Sequence, residues 1–141
     1  VPLDRDLVRA GAVLHDIAKG RAHHAEVGAV MLRDLGFPVL AAVVAQHMVI
    51  GFAAGDPIDE AAVVHLADKL VADDRRVRLD DRWAAAERRF GDDPAALAGA
   101  HRRRATAEAI LHDVEARIGP IDPPTTVAPL RPPLVEARLA P

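Results

Sequence analysis

Ala12-Val13-Leu14-His15-Asp16-Ile17-Ala18-Lys19 is the stretch on which the reading of this chain turns. It closes a run in which Leu7, Ala10, Leu14 and Ala18 recur at helical spacing, so the pattern predicts an amphipathic first helix that stops at Gly20. Neighbouring residues on a helix point about 100° apart, so His15 and Asp16 reach one object only on their shared flank. A divalent cation is such an object, because imidazole and carboxylate together suit first-row metals. The plainer alternative is a polar helix end, with His15 near the negative end of the helix dipole and Asp16 in solvent.

Outward from this stretch the sequence reads as helix after helix. A second helix is expected from Ala22 to Leu35, closed by Gly36-Phe37-Pro38. Pro38 opens a third at its tolerated first position, with Leu40, Val43, Val44 and His47 on one face. Gly51 to Pro57 is a loop. The segment Ile58 to Ala72 is apolar nearly all round, which predicts a buried central helix. Asp80 or Asp81 is expected to cap a fifth helix running through Trp83 and Phe90, and Asp93-Pro94 a sixth reaching Ile118. No strand alternation and no internal repeat is visible. The fold class is therefore all-α, about six helices over residues 1–118. The stretch 119–141 carries seven of the eleven prolines and reads as an extended or disordered tail.

Composition narrows the function. Half of the residues are apolar and only 3% are aromatic, so the core must be built from Ala, Val and Leu. A net charge of -3 argues against a general nucleic-acid binder. Without cysteine there are no disulfides and no thiolate metal sites, which fits the cytoplasm. No apolar run approaches the ~20 residues of a membrane helix, and no signal peptide is seen. The chain begins at Val1, which raises the expectation that it is part of a longer polypeptide. Sixteen arginines stand against two lysines, Lys19 and Lys69, and both lysines lie beside acidic or His-Asp positions. A compact ammonium and a planar guanidinium are not interchangeable there.

Three further residues join the His-Asp pair. Asp68 sits among Val64, Val71 and Ala72, where a carboxylate needs a cation or hydrogen bonds, though Lys69 or an arginine at a surface edge would serve as well. His24 shares a face with Gly28, Met31, Leu32 and Leu35, and Gly28 admits a close approach of backbone or ligand. His47 continues the stripe of Leu40, Val43 and Val44. Each histidine alone reads more readily as a satisfied core residue than as a ligand. Two histidines, a His-Asp pair and an apolar-face Asp on four successive helices form a constellation.

Four ordered blocks, Ala12 to Lys19, His24-Ala25-Glu26-Val27-Gly28-Ala29, Ala45-Gln46-His47 and Leu66-Ala67-Asp68-Lys69-Leu70, resemble the HD superfamily of metal-dependent phosphohydrolases. The His-Ala-x-x-Gly block is similar to bacterial dinucleoside tetraphosphate hydrolases and to HD modules attached to molybdenum-cofactor nucleotidyltransferases. The resemblance implies a helical bundle holding one or two divalent metals (Mn, Fe, Co, Ni, Zn or Mg). His15, Asp16 and Asp68 match three of four ligands of the family's first metal. Asp16 would bridge to a second, with His24 and His47 as its other ligands and His23 the alternative to His24. Lys19 matches a lysine near the substrate phosphate. The family's first ligand is a histidine on an upstream helix, and no histidine precedes His15. Either a preceding segment carries it or the first site is degenerate. His65, one turn before Asp68, is a conceivable substitute, and His101 and His112 read as solvent-facing.

The implied chemistry is hydrolysis of a phosphoester or phosphoanhydride in a small phosphorylated substrate, a nucleotide by preference. Asp16 handles the attacking water, and Lys19, Lys69 and Arg75 offer positive charge to phosphate. The alternatives are a non-catalytic HD-like domain that binds metal or nucleotide for regulation, and a metal-free helical interaction module.

Overall fold

A computed structural model describes residues 2–121; the proline-rich stretch 122–141 lies outside the described residues. Six helices follow one another: α1 (Arg5–Leu14), α2 (His24–Asp34), α3 (Pro38–Ala45), α4 (Glu60–Lys69), α5 (Leu79–Phe90) and α6 (Pro94–Ile118). Their starts are chemically marked. Asp4 accepts from the N–H groups of Asp6 and Leu7, Asp59 from Ala62, and Asp93 from Ala95 and Ala96, which satisfies backbone donors that a helix start leaves free.

Two apolar clusters meet across α4. Ala29, Leu32, Leu40, Ala41 and Val44 join α2 to α3, with Leu7, Ala10 and Leu14 of α1 packed against them. Ala61, Ala62, Leu66, Leu70, Trp83, Ala107 and Ile110 join α4, α5 and α6. Ala41, Ala62 and Ala107 are fully buried, and these small side chains let the helices approach closely where a bulkier core would hold them apart. Among the described residues no helix is long and apolar enough to cross a membrane.

The structure departs from the sequence reading in three helices. The first helix ends at Leu14, not Gly20, because the ring of His15 turns back onto the Ala12 carbonyl and the chain continues in tight turns. The fourth helix is shorter than Ile58 to Ala72: it starts at Glu60 and ends at Lys69. Beyond it, β1 (Val71–Ala72) and β2 (Arg75–Arg76) pair antiparallel, a small hairpin among otherwise helical elements. Asp73 takes a positive φ of 53° in the two-residue connection, the conformation such hairpins need and one that Asp tolerates. The fifth helix is preceded by Arg78, while Asp80 and Asp81 lie in its first turn, where negative charge suits the helix dipole.

Candidate metal centre and its groove

Four elements deliver five side chains to one place. His15 and Asp16 lie in the turn after α1, His24 is the first residue of α2, His47 follows α3, and Asp68 stands next to the end of α4. The turn is held by hydrogen bonds from Ile17 N–H to Leu14 and from Lys19 N–H to Asp16, at 3.0 and 2.8 Å. It can lie against α2 because residue 28 is glycine. A Cβ there would stand 3.0 Å from Ile17 Cγ2 and 3.5 Å from Val44 Cγ1, and Ala18 is buried in the same contact.

Asp16 presents its two oxygens to two groups of partners. Oδ1 lies 3.3 Å from His24 Nε2 and 3.7 Å from His47 Nε2, and the two Nε2 atoms are 3.1 Å apart. His47 Nδ1–H donates to the Val44 carbonyl at 2.8 Å, which leaves the Nε2 lone pair aimed at the cluster. Burial pushes the His47 pKa below its ordinary value. Two imidazole nitrogens and a carboxylate so close to one another need a proton or a cation among them. Asp16, His24 and His47 offer three ligand atoms within 4.8 Å of one another, a donor set that fits a divalent metal.

On the other side, Asp16 Oδ2 lies 3.6 Å from His15 Nε2 and accepts from Lys19 Nζ at 2.7 Å. His15 Nε2 is also 3.4 Å from Asp68 Oδ1, while its Nδ1–H donates to Ala12. The hydrogen bond to Asp68 raises the His15 pKa against an opposing burial. Burial works to raise both carboxyl pKa values. It is outweighed at Asp68 by His15 and Lys69, and at Asp16 by Lys19 and His15, so both are held below the ordinary range.

The centre opens into a groove of about 690 Å³, lined on its outer side by Lys19, Asp73, Arg82 and Arg89. The Lys19 side chain is 78% exposed, so its ammonium keeps donors for a ligand while bonded to Asp16. Arg82 donates to the Val71 carbonyl at 2.6 Å, and Arg89 lies 5.3 Å from the centroid of the Phe90 ring. Neither has a carboxylate within ion-pair distance among the described residues. Sequence reasoning passes over both. Their seven-residue spacing on α5, which puts them on one face, is the signal that could have found them.

Two expected phosphate contacts sit elsewhere. Lys69 is 3% exposed and donates to Asp68 and to the His47 carbonyl, so its ammonium is engaged inside the protein. Arg75 is exposed in the hairpin, 3.8 Å from Asp74, and does not line the groove. His23 is exposed at a positive φ of 52°, and His101 pairs with Glu87 at 3.6 Å on the surface. His112 is exposed, and His65 is fully buried beside Gln46 rather than in the cluster.

A helical scaffold carrying histidines and aspartates from successive helices around one point defines a class of metal-site domain. The sequence matches the HD domain family over residues 1–73, and the chain belongs to that family. It is 35% identical over 106 residues to the uncharacterized protein MJ0778 of Methanocaldococcus jannaschii. That match covers 63% of this chain and 63% of the relative, so the chain spans less than two thirds of its relative's length. No solved structure matches.

Proposed function

We propose that the chain is a metal-dependent phosphohydrolase that cleaves a phosphoester or phosphoanhydride of a small phosphorylated molecule, a nucleotide being the preferred class. The observation that carries this reading is the double engagement of Asp16. One oxygen faces His24 and His47, and the other faces His15 and Lys19 at the mouth of a groove that also carries Arg82 and Arg89.

Asp16, His24 and His47 would hold one cation, and His15 and Asp68 stand where they would complete the other side of a shared centre. A bound divalent ion supplies a water acidified toward a pKa of ~7 and charge to offset that on phosphate oxygens. Asp16 orients the nucleophile and accepts its proton. Lys19, Arg82 and Arg89, which line the groove beside the cluster, bind and orient the phosphate. Asp68 and Lys69 hold the site together: the Lys69 ammonium ties α4 to the backbone of His47.

The experiment is phosphate release from a panel of phosphomonoesters and nucleotides with added Mn, Co, Ni, Zn or Mg, for wild type and Asp16→Asn. Turnover that needs the metal and is lost in Asp16→Asn supports the proposal. Metal bound by wild type without turnover across the panel supports instead a regulatory, non-catalytic domain. The observation on that side is that both Asp68 oxygens already have partners, His15 and Lys69.

A further inference from the structure

A second cavity, about 290 Å³, lies between α6 and the segment joining α3 to α4. Its floor is His65, which is fully buried. His65 Nδ1–H points to the Gln46 carbonyl at 3.4 Å, and Nε2 has no hydrogen-bond partner. A buried ring nitrogen without a partner is costly and calls for an explanation. Across the cavity stand Arg102 and Arg103, and their guanidinium groups converge on Gly99. A Cβ at residue 99 would lie 3.3 Å from Arg103 Nη1 and 3.9 Å from Arg102 Nη2.

These two arginines differ from their neighbour. Arg104 is matched by Glu108, Asp80 and Glu87 at 2.7, 3.6 and 3.9 Å. Arg102 and Arg103 have no carboxylate within ion-pair distance among the described residues. Two cations gathered over one glycine with no acid beside them repel each other, and an anion relieves that repulsion. The Thr106 hydroxyl donates to the Arg102 carbonyl at 3.2 Å, so it shapes the cavity and is not a spare donor.

We infer that the cavity between Arg102, Arg103 and His65 is a binding site for a phosphate group, distinct from the metal centre. Arginine forks supply the charge-assisted donors that phosphate oxygens take, and the His65 ring lies in the wall of the same cavity, close enough to report its occupancy. The volume lies just below the ~300 Å³ at which sites for drug-sized molecules begin. It therefore suits orthophosphate or the phosphate end of a small monoester and not a whole nucleotide. The site does not depend on the proposed hydrolysis.

The test is titration of the protein with inorganic phosphate, and in parallel with glycerol 3-phosphate, followed by the ring resonances of His65. The expected result is a saturable shift at millimolar ligand or below. Its midpoint should move at least about tenfold higher in the Arg102→Gln/Arg103→Gln double variant and stay unchanged in Lys19→Gln. Gly99→Ala, which favours the helix but intrudes on Arg103, should weaken binding without risk to folding. Tighter binding of the monoester assigns the site to an organic phosphate, and equal or weaker binding to free phosphate. No saturable shift of His65, or a shift lost in Lys19→Gln and kept in the arginine variant, overturns the inference.

Discussion

His65 makes the stability of this domain depend on pH in a way that can be isolated. The ring is fully buried, and burial, reinforced by the nearby Lys69 charge, lowers its pKa from 6.5 to about 4. Above pH 6.5 both the folded and the unfolded chain carry it neutral, so the residue adds no pH dependence. Between 6.5 and 4 only the unfolded chain binds the proton, which draws the equilibrium toward unfolding. Below about 4 both states are protonated and the loss is complete. At ~1.4 kcal/mol for each pH interval of one, the window amounts to about 3 kcal/mol. That is a large share of the 5–15 kcal/mol that typically holds a domain folded. The assay is urea unfolding of wild type and His65→Leu at a series of pH values from 7.5 to about 4. Other titrating groups act in both proteins, so the difference between the two unfolding free energies reports His65. That difference should be flat above pH 6.5 and shift by about 3 kcal/mol toward the variant as the pH falls to 4. Parallel curves over the whole range would refute the burial argument.

Other outcomes follow from the same geometry. Asp68→Ala leaves the buried Lys69 ammonium without its carboxylate and should cost about 3 kcal/mol in chemical unfolding, whereas Lys69→Met, which removes the charge, should cost clearly less. Gly28→Val drives atoms into Ile17 and Val44 and should destabilise by about 1–3 kcal/mol while lowering metal content, since it displaces the turn that carries Asp16. In the phosphate-release assay, Arg82→Gln and Arg89→Gln should each raise KM by roughly tenfold, and Arg75→Gln should leave it near wild type.

Much of the bundle is legible from periodicity and capping chemistry. Pro38, Asp93-Pro94 and Gly36 mark helix ends that the structure places within a residue or two. The boundaries that escape depend on contacts that periodicity does not encode. The His15 ring competes for the Ala12 carbonyl, and that bond ends the first helix six residues before the glycine that would be read as its stop. The apolar run to Ala72 hides a hairpin, because Val71 and Ala72 suit a strand edge as well as a helix.

At the site, the histidines at 15, 24 and 47 stand out because imidazoles on otherwise apolar faces need a reason. The separation of roles among the cations is not visible in one dimension. Lys69 beside Asp68 reads equally as a phosphate contact or as an internal ion pair, and only its burial against the His47 carbonyl distinguishes the two. Arg82 and Arg89 look like two of many surface arginines until α5 folds over the groove.

The central claim is that Asp16, His24 and His47 hold a metal ion. Elemental analysis of the purified protein, wild type beside His47→Ala, tests it most directly. The account predicts at least one equivalent of a divalent metal in wild type and a clear fall in the variant with the fold retained. No metal above background in wild type, or a content that His47→Ala leaves unchanged, would contradict it.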